Sequence, residues 1–166
     1  MTRPIALAVA LATLSGCGLR PLYGGGSGGA VATTLGSVAV APIPGQSGWL
    51  MRNKLVERLG GGGGATAAYR LYVTLDDNIT AFGVRSNQAA TQERRTLRAR
   101  YQLVDLSNGT VVLDSTAGSD AGIDIVSSEY ATVAAEQTAL ENLSNIVAEQ
   151  IVARVALYAS RSQRAK

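Results

Sequence analysis

The sequence predicts an α+β fold, a mixed four-stranded sheet with two helices packed on one face in the order β-α-β-β-β-α. Three observations predict it. Apolar and polar residues alternate over Tyr69–Asp76 and again over Thr96–Leu103, the period of a strand with one buried face. Asn108-Gly109 separates the second run from a third apolar stretch, and both residues tolerate the positive φ of a hairpin turn. From Ser127 to Ser160 there is no glycine or proline, while apolar residues recur at helical spacing.

The elements follow in order. Ser37 to Ile43 carries Val38 and Val40 and ends against Pro42 and Pro44, as a short strand leaving the core does. Trp49, Leu50, Leu55, Val56 and Leu59 recur at helical spacing, with Arg52, Asn53, Lys54, Glu57 and Arg58 between them. This predicts an amphipathic helix of about three turns. It stops at the glycine run Gly60–Gly64, which caps the helix and loosens the turn after it. Tyr69, Leu71, Val73 and Leu75 then face inward, and Arg70, Tyr72, Thr74 and Asp76 outward. A polar segment from Asn78 to Ala90 is expected to connect this strand to the next. There Leu97, Ala99, Tyr101 and Leu103 face the core, opposite Thr96, Arg98, Arg100 and Gln102. Val111 and Leu113 open the last strand, expected to continue through Ala121 to Ile125 after an irregularity at Gly118. The final helix places Val133, Leu140, Val147, Ile151, Val155 and Tyr158 on one stripe, with Ser127 or Ser128 as N-cap. Some thirty residues of helix measure about 48 Å. That exceeds what such a sheet needs, so part of the helix is expected to run beyond it.

The N-terminus is a separate problem. Arg3 precedes an apolar run from Ile5 to Leu14, half the roughly twenty residues of a membrane span, so it reads as a signal peptide. The run closes on Leu14-Ser15-Gly16-Cys17, which resembles the bacterial lipobox. That resemblance implies cleavage before Cys17, a diacylglycerol on its thiol and an acylated (palmitate-type) amino terminus. The chain then divides into a signal peptide (1–16), a lipidated N-terminus with a glycine-rich tether (17–34), and one α+β domain (35–166). The glycines lack the Lys-Ser/Thr ending of a phosphate loop.

Composition narrows the chemistry. Cys17 is the only cysteine of the 166 residues and there is no histidine. Disulfides, His-based triads, thiol catalysis and the usual zinc sites are therefore excluded. Asp76 and Asp77 are neighbours on a strand and point to opposite faces, so they are not a general acid/base pair. The expectation is a protein that is not an enzyme, with no cofactor, no metal and no nucleic-acid partner.

The net charge of +3 is modest but uneven. Arg85, Arg94, Arg95, Arg98 and Arg100 follow one another with only Glu93 opposing them along the chain. Alternation puts Arg94, Arg98 and Arg100 on the face away from the core, and Arg70 extends that face on the preceding strand. Guanidinium groups recognise phosphate in bidentate geometry; a solvated sheet surface accounts for the same stripe. Trp49 reads as core or as an interface anchor. The tail with Arg154, Arg161, Arg164 and Lys166 complements the helix dipole and is placed to touch anionic headgroups.

Several segments together resemble one family. Cys17-Gly18-Leu19-Arg20-Pro21-Leu22-Tyr23-Gly24 is similar to the Cys-Gly-Phe-x-Pro-Leu-Tyr opening of alphaproteobacterial lipopolysaccharide-assembly lipoproteins, the LptE family, with Leu19 in place of Phe. The helix at Leu50–Leu55, the strand Tyr69–Val73, Tyr101–Asp105 leading into Asn108-Gly109, and the helix from Tyr130 to Val155 match further. The resemblance implies an outer-membrane lipoprotein, anchored by its lipid on the periplasmic side. Such a protein plugs and scaffolds the LptD β-barrel and binds lipopolysaccharide during its delivery to the outer leaflet. It makes Arg94, Arg98, Arg100, Arg70 and Arg85 the candidates for lipopolysaccharide contact. An auxiliary lipoprotein of an ABC-type lipid or solute transporter is the alternative.

Overall fold

The structure, a computed structural model, describes residues 29–60, 67–84 and 90–164. The expected signal peptide, Cys17, the glycine-rich stretch to Gly28, Gly61–Gly64, Arg85 and Lys166 lie outside the described residues. The elements are α1 (Ala30–Gly36), β1 (Val38–Val40), α2 (Gly45–Arg58), β2 (Tyr69–Val84), β3 (Ala90–Asp105), β4 (Val111–Asp124) and α3 (Glu129–Arg164). The sheet order is β1-β2-β3-β4, with β1 parallel to β2 and the other pairs antiparallel. The mixed α+β architecture matches the expected order, with one short helix, α1, added before it. Residues 30–34, within the stretch expected as tether, form most of that helix.

Local chemistry fixes the β3–β4 turn. Gly109 takes φ +72°, and its N–H donates to Asp105 O at 2.8 Å. Asn108 Oδ1 accepts from the Thr110 N–H at 3.0 Å, and Asp105 Oδ1 from the Ser107 N–H at 2.8 Å. These Asx-type bonds set the turn before any packing does. At the other end of the chain Ser128 caps α3, its Oγ accepting from the Ala131 N–H at 3.4 Å.

The sequence reading falls short at the far end of the sheet. The segment from Asn78 to Ala90, expected as a polar connection, is largely strand: Asn78 pairs with Thr96, Thr80 with Arg94 and Val84 with Ala90 in the ladder. Each strand of 16 residues is about 53 Å long at ~3.3 Å per residue. The 36-residue α3 is about 54 Å long at 1.5 Å per residue. The helix is therefore about as long as the strands it covers. The irregularity also moves: Gly118 sits in regular register opposite Arg98, and the shift falls between Leu103 and Val104, where Val112 is extra.

One apolar cluster joins the sheet to the helices. Leu71, Leu97, Tyr101 and Leu103 meet Leu143, Val147, Ile151 and Val155 of α3 and Met51 and Leu55 of α2. Each such side chain contributes about 1.5–3 kcal/mol by leaving water. The buried stripe of α2 is Gly48, Met51 and Leu55, so Trp49, placed on the apolar side by spacing, is 65% exposed. Gly48 is required there because a Cβ would lie 2.6 Å from Ile43 O. Val133 is also exposed, unlike the rest of its predicted stripe, because the buried part of α3 starts at Ala139. No described helix is long and apolar enough to cross a membrane.

Candidate functional site

The described helices lie on the side of the sheet formed by Leu97, Ala99, Tyr101 and Leu103, and among the described residues no helix covers the opposite face. Ladder register assembles that face. Thr74 stands beside Arg100, Asp76 beside Arg98 and Thr80 beside Arg94 on one side of β3. Thr116, Gly118 and Gly122 stand beside Arg100, Arg98 and Arg94 on the other. Arg70 lies further along, opposite Val104. The structure thus brings Arg94, Arg98, Arg100 and Arg70 onto one surface; Arg85 lies outside the described residues.

Each arginine has its own setting. The Arg94 guanidinium stacks over the Phe82 ring, 5.3 Å from its centroid, a cation–π contact. Arg98 reaches across β4, where a Cβ on Gly118 would stand 2.5 Å from its Cδ; the glycine makes room for the side chain. Arg100 pairs with Asp114, Nη2 to Oδ2 at 3.1 Å, and Gln102 Nε2 donates to the same oxygen at 2.8 Å. These bonds hold the Asp114 carboxyl below its ordinary range and raise the Arg100 guanidinium. Arg70, Arg94 and Arg98 make no ion pair among the described residues.

Reading charge along the chain missed what faces these arginines. Asp76, Asp114, Asp120 and Asp124 share their face, so the four arginines meet four aspartates. The signal was in the sequence, as aspartates at even positions of the last strand, but register was needed to set them opposite β3. The surface is a mosaic of both signs.

The helix side holds a second polar constellation that charge counting also missed. Arg95 Nε and Nη2 donate to Asp77 Oδ1 and Oδ2 at 2.8 and 2.7 Å, and Nη1 donates to Glu136 O at 3.0 Å. Both side chains are largely shielded, at 12% and 17% exposure. Next to them Glu93 has its carboxyl pushed above the ordinary value, first by burial and then by the Glu136 carboxylate. Strand parity, the same as that of Leu97 and Leu75, was the signal for Arg95 and Asp77 on the core side.

The fold is a small two-layer sandwich of helices on one side of a sheet, whose other, mixed-charge face no described helix covers. The profile of the LptE family, Lipopolysaccharide-assembly, matches residues 35–155. The chain belongs to that family. A lipoprotein from Caulobacter crescentus CB15 is similar over 78% of this chain and 96% of its own, at 26% identity and TM-score 0.66. A minor lipoprotein from Acinetobacter baumannii is similar over 73% and 91%, at 14% identity and TM-score 0.59. Rare lipoprotein B from Shewanella oneidensis is similar over 76% and 95%, at 9% identity and TM-score 0.53. The last two show the shared fold alone. Comparison with curated proteins gives no match. Family membership supports the role of a lipopolysaccharide-assembly lipoprotein, in a family that is not enzymatic.

Proposed function

We propose that this protein is an outer-membrane lipoprotein, held on the periplasmic side by lipid on Cys17 after removal of residues 1–16. In this reading it plugs and scaffolds an LptD-type β-barrel and binds lipopolysaccharide on its way to the outer leaflet. It acts without catalysis. The observation that supports this most is the bare sheet face, where Arg70, Arg94 and Arg98 stand without a carboxylate partner among the described residues. Arg94 and Arg98 are about 13 Å apart along the strand at ~3.3 Å per residue, room for separate anionic groups. Because aspartates balance the face, attraction comes from short-range guanidinium–phosphate contacts rather than a broad positive field. Alternating sign also suits a polar barrel lumen. Arg85 joins this set on sequence alone, and Arg100 contributes once Asp114 releases it.

The test is affinity purification of the lipidated protein from detergent-solubilised membranes, with mass spectrometry of what accompanies it. A stoichiometric large β-barrel is expected, and Arg94→Gln with Arg98→Gln should weaken lipopolysaccharide binding while the barrel is kept. Recovery of an inner-membrane ATPase complex, or of no partner, sinks this reading and favours a transporter auxiliary.

A further inference from the structure

On the helix side, between β4 and the second half of α3, a groove of about 460 Å³ is lined by Tyr101, Thr116, Ala117, Gln150, Ala153, Arg154 and Leu157. One end is closed by Gln150, whose Oε1 accepts from the Gly118 N–H at 3.2 Å and whose Nε2 donates to Gly118 O at 3.4 Å. That amide occupies backbone groups which an edge strand otherwise exposes. The walls are apolar and low, formed by Ala117, Ala153 and Leu157 with the Tyr101 ring.

Two features point to a ligand. Tyr101 is 1% exposed, and its hydroxyl has no hydrogen-bond partner among the described residues. A buried hydroxyl left so is unfavourable by about 1–3 kcal/mol, and buried polar groups are normally satisfied. One helical turn beyond Gln150, Arg154 stands at the rim and makes no ion pair among the described residues. The volume lies in the range of small-molecule sites.

We infer that this groove binds a single-chain anionic amphiphile: the acyl chain lies along Ala117, Ala153 and Leu157, Arg154 takes the anionic head, and the Tyr101 hydroxyl donates to an oxygen near the head. The two alanines leave room for one unbranched chain. A free fatty acid and a phosphate-bearing lysolipid present the same chemistry. The groove lies at the β4 edge, on the helix side apart from Thr116, whose register is that of the arginine face, and it does not depend on what that face binds.

The chain carrying Cys17→Ser, purified without attached lipid, is titrated with the fluorescent fatty acid cis-parinaric acid and then with competitors. Saturable binding below the probe's micellar range is expected. Displacement by palmitate but not by lysophosphatidic acid identifies a free fatty acid; displacement by lysophosphatidic acid but not by palmitate identifies a phosphate-bearing lysolipid; displacement by both identifies a site that takes either head. Ala153→Leu, which fills the groove, should weaken binding about ten-fold, and Arg154→Gln about five-fold, the scale of one interaction of around 1 kcal/mol. Tyr101→Phe should weaken it about three-fold, as one neutral hydrogen bond does, with Tm unchanged or raised. Tm measured on every variant separates loss of binding from loss of fold. The proposal is overturned if no saturable binding occurs. It is equally overturned if folded Ala153→Leu and Tyr101→Phe proteins bind the probe as tightly as the parent.

Discussion

The two faces of β3 differ more than any two separate elements of this molecule. Leu97, Ala99, Tyr101 and Leu103 are at most 1% exposed, while Arg98 and Arg100, set between them, stand in solvent. Neighbouring residues therefore serve opposite ends, with odd positions holding the helices and even positions presenting charge. A slip of one residue exchanges the two roles, so the Asn108-Gly109 turn that sets the register is as necessary to the bare face as the arginines are. Towards the start of β3 the odd face itself turns polar. Arg95 there does with hydrogen bonds what Leu97 does with apolar contact, fastening α3 to the sheet.

The sharpest way to break this contrast is at Leu97. Leu97→Ala empties a fully buried position and should cost about 2–5 kcal/mol, read by denaturant unfolding. Arg95→Ala should come next. It leaves the Asp77 carboxylate largely shielded and unpaired and frees Glu136 O, a loss of about 1–3 kcal/mol. Hydrogen exchange should show it as local opening of residues 77–83 and 129–138, with the Leu97–Leu103 amides still protected.

Glu93→Gln should act in the other direction and less strongly. The folded protein holds the Glu93 proton more tightly than an ordinary carboxyl does. That stabilising proton is fully bound in both states below the ordinary value of 4.5 and the advantage is lost as pH rises through the raised value. The amide removes the penalty, so Tm of the variant should exceed that of the parent at pH 7.5 and converge with it at pH 4. Smallest of all is Arg100→Gln. The ion pair to Asp114 is 68% and 39% exposed, and solvent-facing pairs add little to stability; thermal unfolding should be unchanged within error.

Much of this was legible in the sequence wherever a short local pattern decides the outcome. Alternation from Tyr69 and Thr96 gave both faces, Asn108-Gly109 gave the turn, and the glycine-free stretch gave the long helix. What escaped notice depends on partners distant along the chain. The far halves of β2 and β3 have polar inward positions, Asp77, Glu93 and Arg95, so alternation of apolar residues fades there although the ladder continues. Trp49 follows helical spacing yet lies outside, because the close approach at Gly48 sets which side of α2 meets the core. Asp114, Asp120 and Asp124 looked unrelated to the arginines until register brought them alongside. Short α1 carries no cap signal in its sequence; Gly29 caps it without a side-chain bond, and burial of Leu35 holds it in place.

The central claim is that parity along β3 separates fold from function, and a substitution scan tests it directly. Arg94→Gln, Arg98→Gln and Arg100→Gln are compared with Leu97→Ala, Ala99→Ser and Leu103→Ala, each for Tm and for lipopolysaccharide binding by the folded protein. The account predicts a period of two: the arginine variants lose binding at constant Tm, and the apolar variants lose Tm but bind normally below it. Arginine variants that retain full binding, singly and combined, contradict it.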